Sequence, residues 1–170
     1  MLSPPVGTTY ARRGHRPSIC INCNVTDRLY VASAISEQGK VVFHTRQEPY
    51  DTDGIITFLQ GLLEQVPGKV LLVWDGASVH KSAKLRQFLC DCSQAWRLHL
   101  VIQPPYSPHL NADELLWQRL KNVALKNSCF QNFKELKNRV IEEINQLANN
   151  SALIKNFFKH PDLGFYHSST

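Results

Sequence analysis

Hydrophobic positions change period along this chain, and each change marks an element. Ser18–Val25, Leu29–Ser36 and Val41–Thr45 are short and rich in Val, Ile, Tyr and Phe. Asp27 sits in the first connection and Gly39 in the second, which predicts three strands joined as two successive hairpins. The period then turns helical: Ile55, Ile56, Leu59, Leu62, Leu63 and Val66 share one face, with Asp51 to Asp53 as candidate caps and Pro67-Gly68 as the stop. Val70–Trp74 is continuously apolar, the pattern of a strand buried on both faces. A helix from about His80 to Cys90 follows, then an alternating strand at Leu98, Leu100 and Ile102. Pro104, Pro105 and Pro108 break regular structure before Asn111. Leu116, Leu120, Val123 and Ala124 predict one helix, and Phe133, Leu136, Val140, Ile144 and Leu147 another. Three strands, helix, strand, helix, strand and helices predict an α/β fold, a mixed sheet flanked by helices. Nothing periodic follows His160, and no internal repeat is present.

At 170 residues the chain is expected to be one domain, with a core over about 10–150 and a C-terminal extension over 151–170. Apolar content of 43% argues against disorder, and the longest apolar run, Val70–Trp74, is far too short to span a membrane. The start, Met-Leu-Ser-Pro-Pro-Val-Gly, lacks the basic and apolar segments of a secretion signal, so a cytoplasmic, nucleoid-associated protein is expected. A net charge of +5 is compatible with a polyanion partner but does not require one. Arg12, Arg13, His15 and Arg16 form the densest basic cluster, and Asn111–His160 carries eight Lys or Arg against five acids. Such residues give salt-sensitive, sequence-independent attraction to phosphates. The five cysteines predict neither zinc nor disulfides. Cys20 and Cys23 are three apart on an expected strand and so point to opposite faces, while Cys90 and Cys92 are badly spaced for chelation near a helix end.

Chemistry concentrates at two carboxylates. Asp75 directly follows the apolar run, where an unpaired buried charge would be costly, so the strand end is expected to open onto a crevice. The plainer reading makes Asp75 a turn-former with Gly76. Glu114 stands at a helix start, three residues after Asn111, close to a capping box in which it would bond only a backbone N–H. Asp113 beside it would favour the helix dipole. His80 is placed to orient a phosphate or to sit in solvent at a helix start, and His109 is expected on the surface. Neither is expected to hold a metal, because hard cations prefer oxygen donors.

Trp-Asp-Gly-Ala-Ser-Val-His-Lys-Ser (residues 74–82) resembles the second-acid motif of mariner-type and insertion-sequence DDE transposases. Pro-Pro-Tyr-Ser-Pro-His-Leu-Asn-Ala-Asp-Glu-Leu-Leu-Trp (residues 104–117) resembles their third-acid motif, with Glu114 in the acid position and Trp117 three residues on. Thr9–Pro17 is similar to the turn that follows the family's first acid, so the likeness extends from about Leu2 to Lys126. It implies a ribonuclease H-like fold and metal-dependent cutting and joining of DNA, with Mg²⁺ or Mn²⁺ held by acids that activate water or a 3′-hydroxyl. Asp75 and Glu114 carry over as catalytic, metal-holding residues, and the match outweighs the capping alternative for Glu114. Asp113 is a weaker stand-in. Arg12, Arg13, Arg16, His80, Lys81 and Lys121 are the expected DNA contacts.

The chain departs from the family pattern in three ways. Gly76 stands for the usual Asn and Ala112 for the usual Pro. No Asp precedes Tyr10, so the family's first acid and the central strand that carries it are expected to be missing, and Asp27 falls in the wrong turn to replace them. The transposon-end-reading helix-turn-helix is expected to be missing too. These features predict the C-terminal part of a transposase catalytic domain, inactive as it stands, with DNA, further copies of itself or a full-length transposase as partners and no membrane. The alternatives are a non-catalytic DNA- or transposase-binding protein of the same fold, and an unrelated small α/β nuclease using two carboxylates.

Overall fold

A computed structural model describes residues 27–75, 82–126, 128, 130–161 and 163. Its elements, in chain order, are β1 (Tyr30–Ile35), β2 (Val41–Arg46), α1 (Thr52–Gln65), β3 (Val70–Trp74), α2 (Ala83–Asp91), β4 (Leu98–Ile102), α3 (Asp113–Arg119), α4 (Phe133–Ala148) and α5 (Ser151–Phe157). A π-helical turn, Leu120–Ala124, continues α3. Among the described residues the strands form two separate pairs. β1 and β2 are antiparallel, from Tyr30 opposite Arg46 to Ile35 opposite Val41, and β3 and β4 are parallel, from Val70 opposite Leu98 to Trp74 opposite Ile102.

Alternation along the hairpin feeds two cores. Val31, Ile35, Val41 and Phe43 pack against a cluster built from Leu116 and Leu120, from Leu136, Val140, Ile144 and Leu147 of α4, and from Ile154 of α5. Ala32, Ala34 and Val42, on the other face, pack against Ile55, Phe58, Leu59, Leu62 and Leu63 of α1, with Leu85 and Leu98. The period of two along a strand sends neighbouring side chains to opposite faces, so one short hairpin serves both clusters.

Capping chemistry sets the helix limits. Asp51 caps α1 by accepting from the Gly54 N–H at 2.9 Å, and that bond, ahead of the Arg46 guanidinium at 3.0 Å, holds its carboxyl below the usual range. At the other end of α1, Arg97 donates to the carbonyls of Leu63 (3.1 Å) and Val66 and, through Nε, to that of Gly68 (2.7 Å). It thereby satisfies acceptors that the helix leaves open and ties α1 to the start of β4. Ser82, Asn132 and Asn150 cap α2, α4 and α5 in the same way as Asp51.

Several expectations need correction. β3 is not buried on both faces: Val70, Leu72 and Trp74 pack on the α1 cluster, but Leu71 is 68% exposed. The pair β3–β4 is covered by helices on one side only among the described residues. The helix expected from His80 is described from Ala83, after the Ser82 cap. Val123, expected on an apolar helix face, is exposed, because the π turn rotates the backbone and delivers Leu125 to the core instead. α5 falls where only an extension was expected. The hairpin expected for Ser18–Val25 lies outside the described residues.

Leu59 is fully buried between α1 and the hairpin. Leu59→Ala is expected to lower unfolding stability by about 2–5 kcal/mol in urea titrations.

Candidate metal and DNA site

The edges of β1 and β3 that face away from β2 and β4 carry no strand partner among the described residues and line one groove of about 690 Å³. Residues 31–38 and 70–75 border it without interruption. Side chains alternate across a strand, so an unbroken run of lining residues means that the strand's edge, rather than a face, is turned toward the space. The groove thus lies between the two strand pairs.

Asp75 and Glu114 both line this groove. Asp75 follows β3 directly and is exposed, as expected for a strand whose end opens onto a crevice. Glu114 is the second residue of α3 and half-buried. The reciprocal capping box does not form. Asn111 Oδ1 accepts from the Asp113 N–H at 3.1 Å, and the Glu114 carboxylate makes no bond back to Asn111. Glu114 is therefore left free of the capping duty that competed with a site role.

Asp113 takes a part that sequence reasoning underrated. Its Oδ2 accepts from Ser33 Oγ at 2.7 Å and from the Trp117 indole N–H at 2.8 Å, linking the first turn of α3 to β1. Ser33 lies between Val31 and Ile35 on the strand face turned toward α3, which explains the bond. Asp113 Oδ1 is buried with no hydrogen-bond partner among the described residues. Removal from water pushes the carboxyl up to about 6, against the two hydrogen bonds that favour its charged form, and the nearby Glu114 charge adds to the rise. The i, i+4 spacing of Asp113 and Trp117 was a legible signal for this pair; the bond to Ser33, eighty positions away, was not.

Gln103, at the end of β4, is buried and also lines the groove. Its backbone N–H donates to the Trp74 carbonyl at 2.8 Å, and its side chain donates to the Leu110 carbonyl at 2.8 Å, closing the base of the proline turn. Through this one residue, the end of β3 that carries Asp75 is tied to the turn that leads to Glu114.

The other expected contacts divide. Lys121 lies on the π turn, away from the groove lining, and His109 is exposed in the proline turn. Arg12, Arg13, Arg16, His80 and Lys81 lie outside the described residues. Among the described residues, no three His, Cys, Asp or Glu side chains are grouped to hold an ion, and no helix is long and apolar enough to cross a membrane.

The chain matches the family of DDE superfamily endonucleases over residues 2–137. Comparison with curated proteins finds no match. Among solved structures, the Mos1 transposase paired-end complex with the left transposon end is 15% identical with a TM-score of 0.57, covering 91% of this chain and 51% of that one. The Mos1 mariner paired-end complex with Mn is 14% identical with a TM-score of 0.58, over 91% and 51% of the two chains. The catalytic domain of Mos1 mariner transposase is 13% identical, covering 74% of this chain and 72% of its own, with a TM-score of 0.50. At these identities the likeness speaks for the fold, a ribonuclease H-like α/β domain. The chain spans about half the length of the two paired-end complex chains.

Burial raises the Asp113 carboxyl from its ordinary 3.8, so between about pH 4 and 6 the unfolded chain gives up this proton while the folded chain keeps it. The Asp113 contribution to stability is therefore complete below about pH 4 and falls as pH rises toward 6. Asp113→Asn is expected to remove that part of the fall, of order 1–3 kcal/mol, when urea unfolding is followed across this range for both proteins. Parallel profiles would contradict it.

Proposed function

Because the chain belongs to the DDE superfamily endonucleases, we propose that it is a transposase-type catalytic domain that acts on DNA, with Asp75 and Glu114 as its metal-holding carboxylates. One observation carries this reading: two acids far apart in sequence, in the motif contexts that resemble the family's second and third acids, meet along one groove. Mg²⁺ and Mn²⁺ take oxygen donors, and Mg²⁺ sites commonly use one or two carboxylates with water and substrate phosphates completing the shell. Asp75 and Glu114 fit that donor set in kind. When bound, such a cation supplies Lewis acidity toward a phosphoryl oxygen and makes water or a 3′-hydroxyl a better nucleophile.

The chain's own contribution is placement. Gln103 holds the turn against the end of β3, and Asp113 locks the first turn of α3 to Ser33, so both acids stand on elements braced by hydrogen bonds. Two carboxylates repel an approaching phosphate, and cationic side chains must offset that repulsion. Arg12, Arg13, Arg16, His80 and Lys81 are proposed for this role, and Lys121, away from the groove lining, for a contact with DNA beyond it. Glu37, Asp75, Asp113 and Glu114 all line the groove, but only Asp75 and Glu114 stand in the matching motif contexts. With that pair alone the chain is proposed to cut DNA poorly or not at all.

The groove also supports a second reading. The edge of β1 facing the groove has no strand partner among the described residues, and such an edge is suited to receive an extended segment by strand addition. A non-catalytic chain that binds a full-length transposase through this groove, and DNA through its basic surface, fits that geometry.

Titrating the 170-residue chain with Mn²⁺ by calorimetry decides first. Asp75→Asn and Glu114→Gln are each expected to weaken binding by about tenfold or more. Full-strength binding in both variants would exclude them as the metal-holding pair. In metal-free buffer the same variants are expected to bind duplex DNA at least as well as the parent, with affinity falling steeply between about 50 and 200 mM salt. Salt-independent affinity would remove the DNA reading.

A further inference from the structure

Tyr106 sits at the tip of the proline turn with φ of 58°, the one non-glycine residue with a positive φ among those described, and its side chain is fully exposed. A side chain bearing Cβ is strained in that region, and glycine or asparagine would fill the position at lower cost. The exposed ring gains nothing from burial in return, so neither packing nor backbone preference accounts for a tyrosine there. Strain kept at an exposed aromatic residue points to a contact made with something else.

The turn that carries this ring is braced by its own prolines and hydrogen bonds. Pro104 and Pro105 precede it, Pro108 follows, and Ser107 Oγ donates to the Pro105 carbonyl at 3.2 Å. Leu110 and Asn111 close a tight helical turn onto the carbonyls of Ser107 and Pro108, both at 3.0 Å. The clasp from Gln103 to Leu110 shuts the base of the turn. Gln103 and Asn111, its two stems, line the groove that holds Asp75 and Glu114. The ring is thus carried on a short, internally bonded loop rooted at the groove margin. A preorganised loop loses little backbone entropy on contact.

We infer that Tyr106 is a stacking platform for an unpaired DNA base, holding a strand beside the groove. The inference rests on the DNA reading above and deepens it by naming the form of DNA preferred. A base inside a duplex has both faces covered by its neighbours, whereas an unpaired or terminal base offers a face to a phenol ring, and such stacking tolerates any sequence. His109, exposed in the same turn, is a hydrogen-bond donor for the adjoining phosphate.

The test uses the full chain and an oligonucleotide carrying 2-aminopurine, whose fluorescence is quenched by stacking, as a single strand and as a blunt duplex. The parent protein is expected to quench the single strand and to bind it more tightly than the duplex. Tyr106→Ala is expected to lose the quenching and to weaken single-strand binding by roughly 5- to 100-fold, while Tyr106→Phe keeps both. Tyr106→Gly separates the two halves of the argument: it relieves the backbone and is expected to raise the unfolding midpoint while losing the quenching. Equal single-strand binding and quenching by the parent and Tyr106→Ala would overturn the platform and leave the DNA reading standing. A parent that binds the duplex more tightly and leaves the single strand unquenched would do the same. No binding to either DNA would overturn both.

Discussion

One antiparallel hairpin holds this fold together. β1 and β2 are six residues each, yet one face supports the α3–α4–α5 cluster and the other the α1 cluster. The constraint is strict because a shift of one residue would turn Val31, Ile35, Val41 and Phe43 toward the wrong helices. Small side chains at Ala32 and Ala34 suit the face that meets α1, and larger ones fill the face toward α4. The same alternation fixes Ser33 toward α3 and so supplies the bond to Asp113. Core packing and site geometry are set by one register.

That bond shows how a short helix start is held at a groove. α3 has seven residues before its π turn and no side-chain cap on its terminal residue. Packing of Leu116 and Leu120 in the core anchors it from below, while Ser33, Trp117 and Asn111 fix Asp113 from the sides. Burying this carboxyl has a cost, seen in its raised affinity for a proton and in an oxygen with no described partner. The return is a fixed backbone beneath Glu114, the neighbour whose side chain makes no capping bond.

The proposed function rests on what lines the groove. Strand edges of β1 and β3 border it, carboxylates stand along it, and a rigid turn ending in an exposed tyrosine rises from its margin. An acid-lined groove repels nucleic acid until cations intervene, so metal, basic side chains and an aromatic contact are complementary demands of the same site. Family membership and the proposed roles of Asp75 and Glu114 agree with this geometry.

Much of the layout was legible in the chain, because period and punctuation are local. Pro67-Gly68 ended α1, Asp51 capped it, and the apolar run stopped at Asp75 at the groove, all as the sequence indicated. The two acid motifs, met in order, also identified the family before any coordinates did. Tertiary structure alone decided the rest. Whether β3 was covered on both faces depended on neighbours distant in sequence, and Leu71 proved exposed. A π turn, invisible to a fixed helical period, moved Val123 outward and Leu125 inward. Whether Glu114 closed a capping box depended on where Asn111 pointed, and the importance of Asp113 on a serine eighty residues earlier. Hydrophobic spacing encodes which face of an element is buried, but a polar side chain's role depends on the partner that folding brings to it.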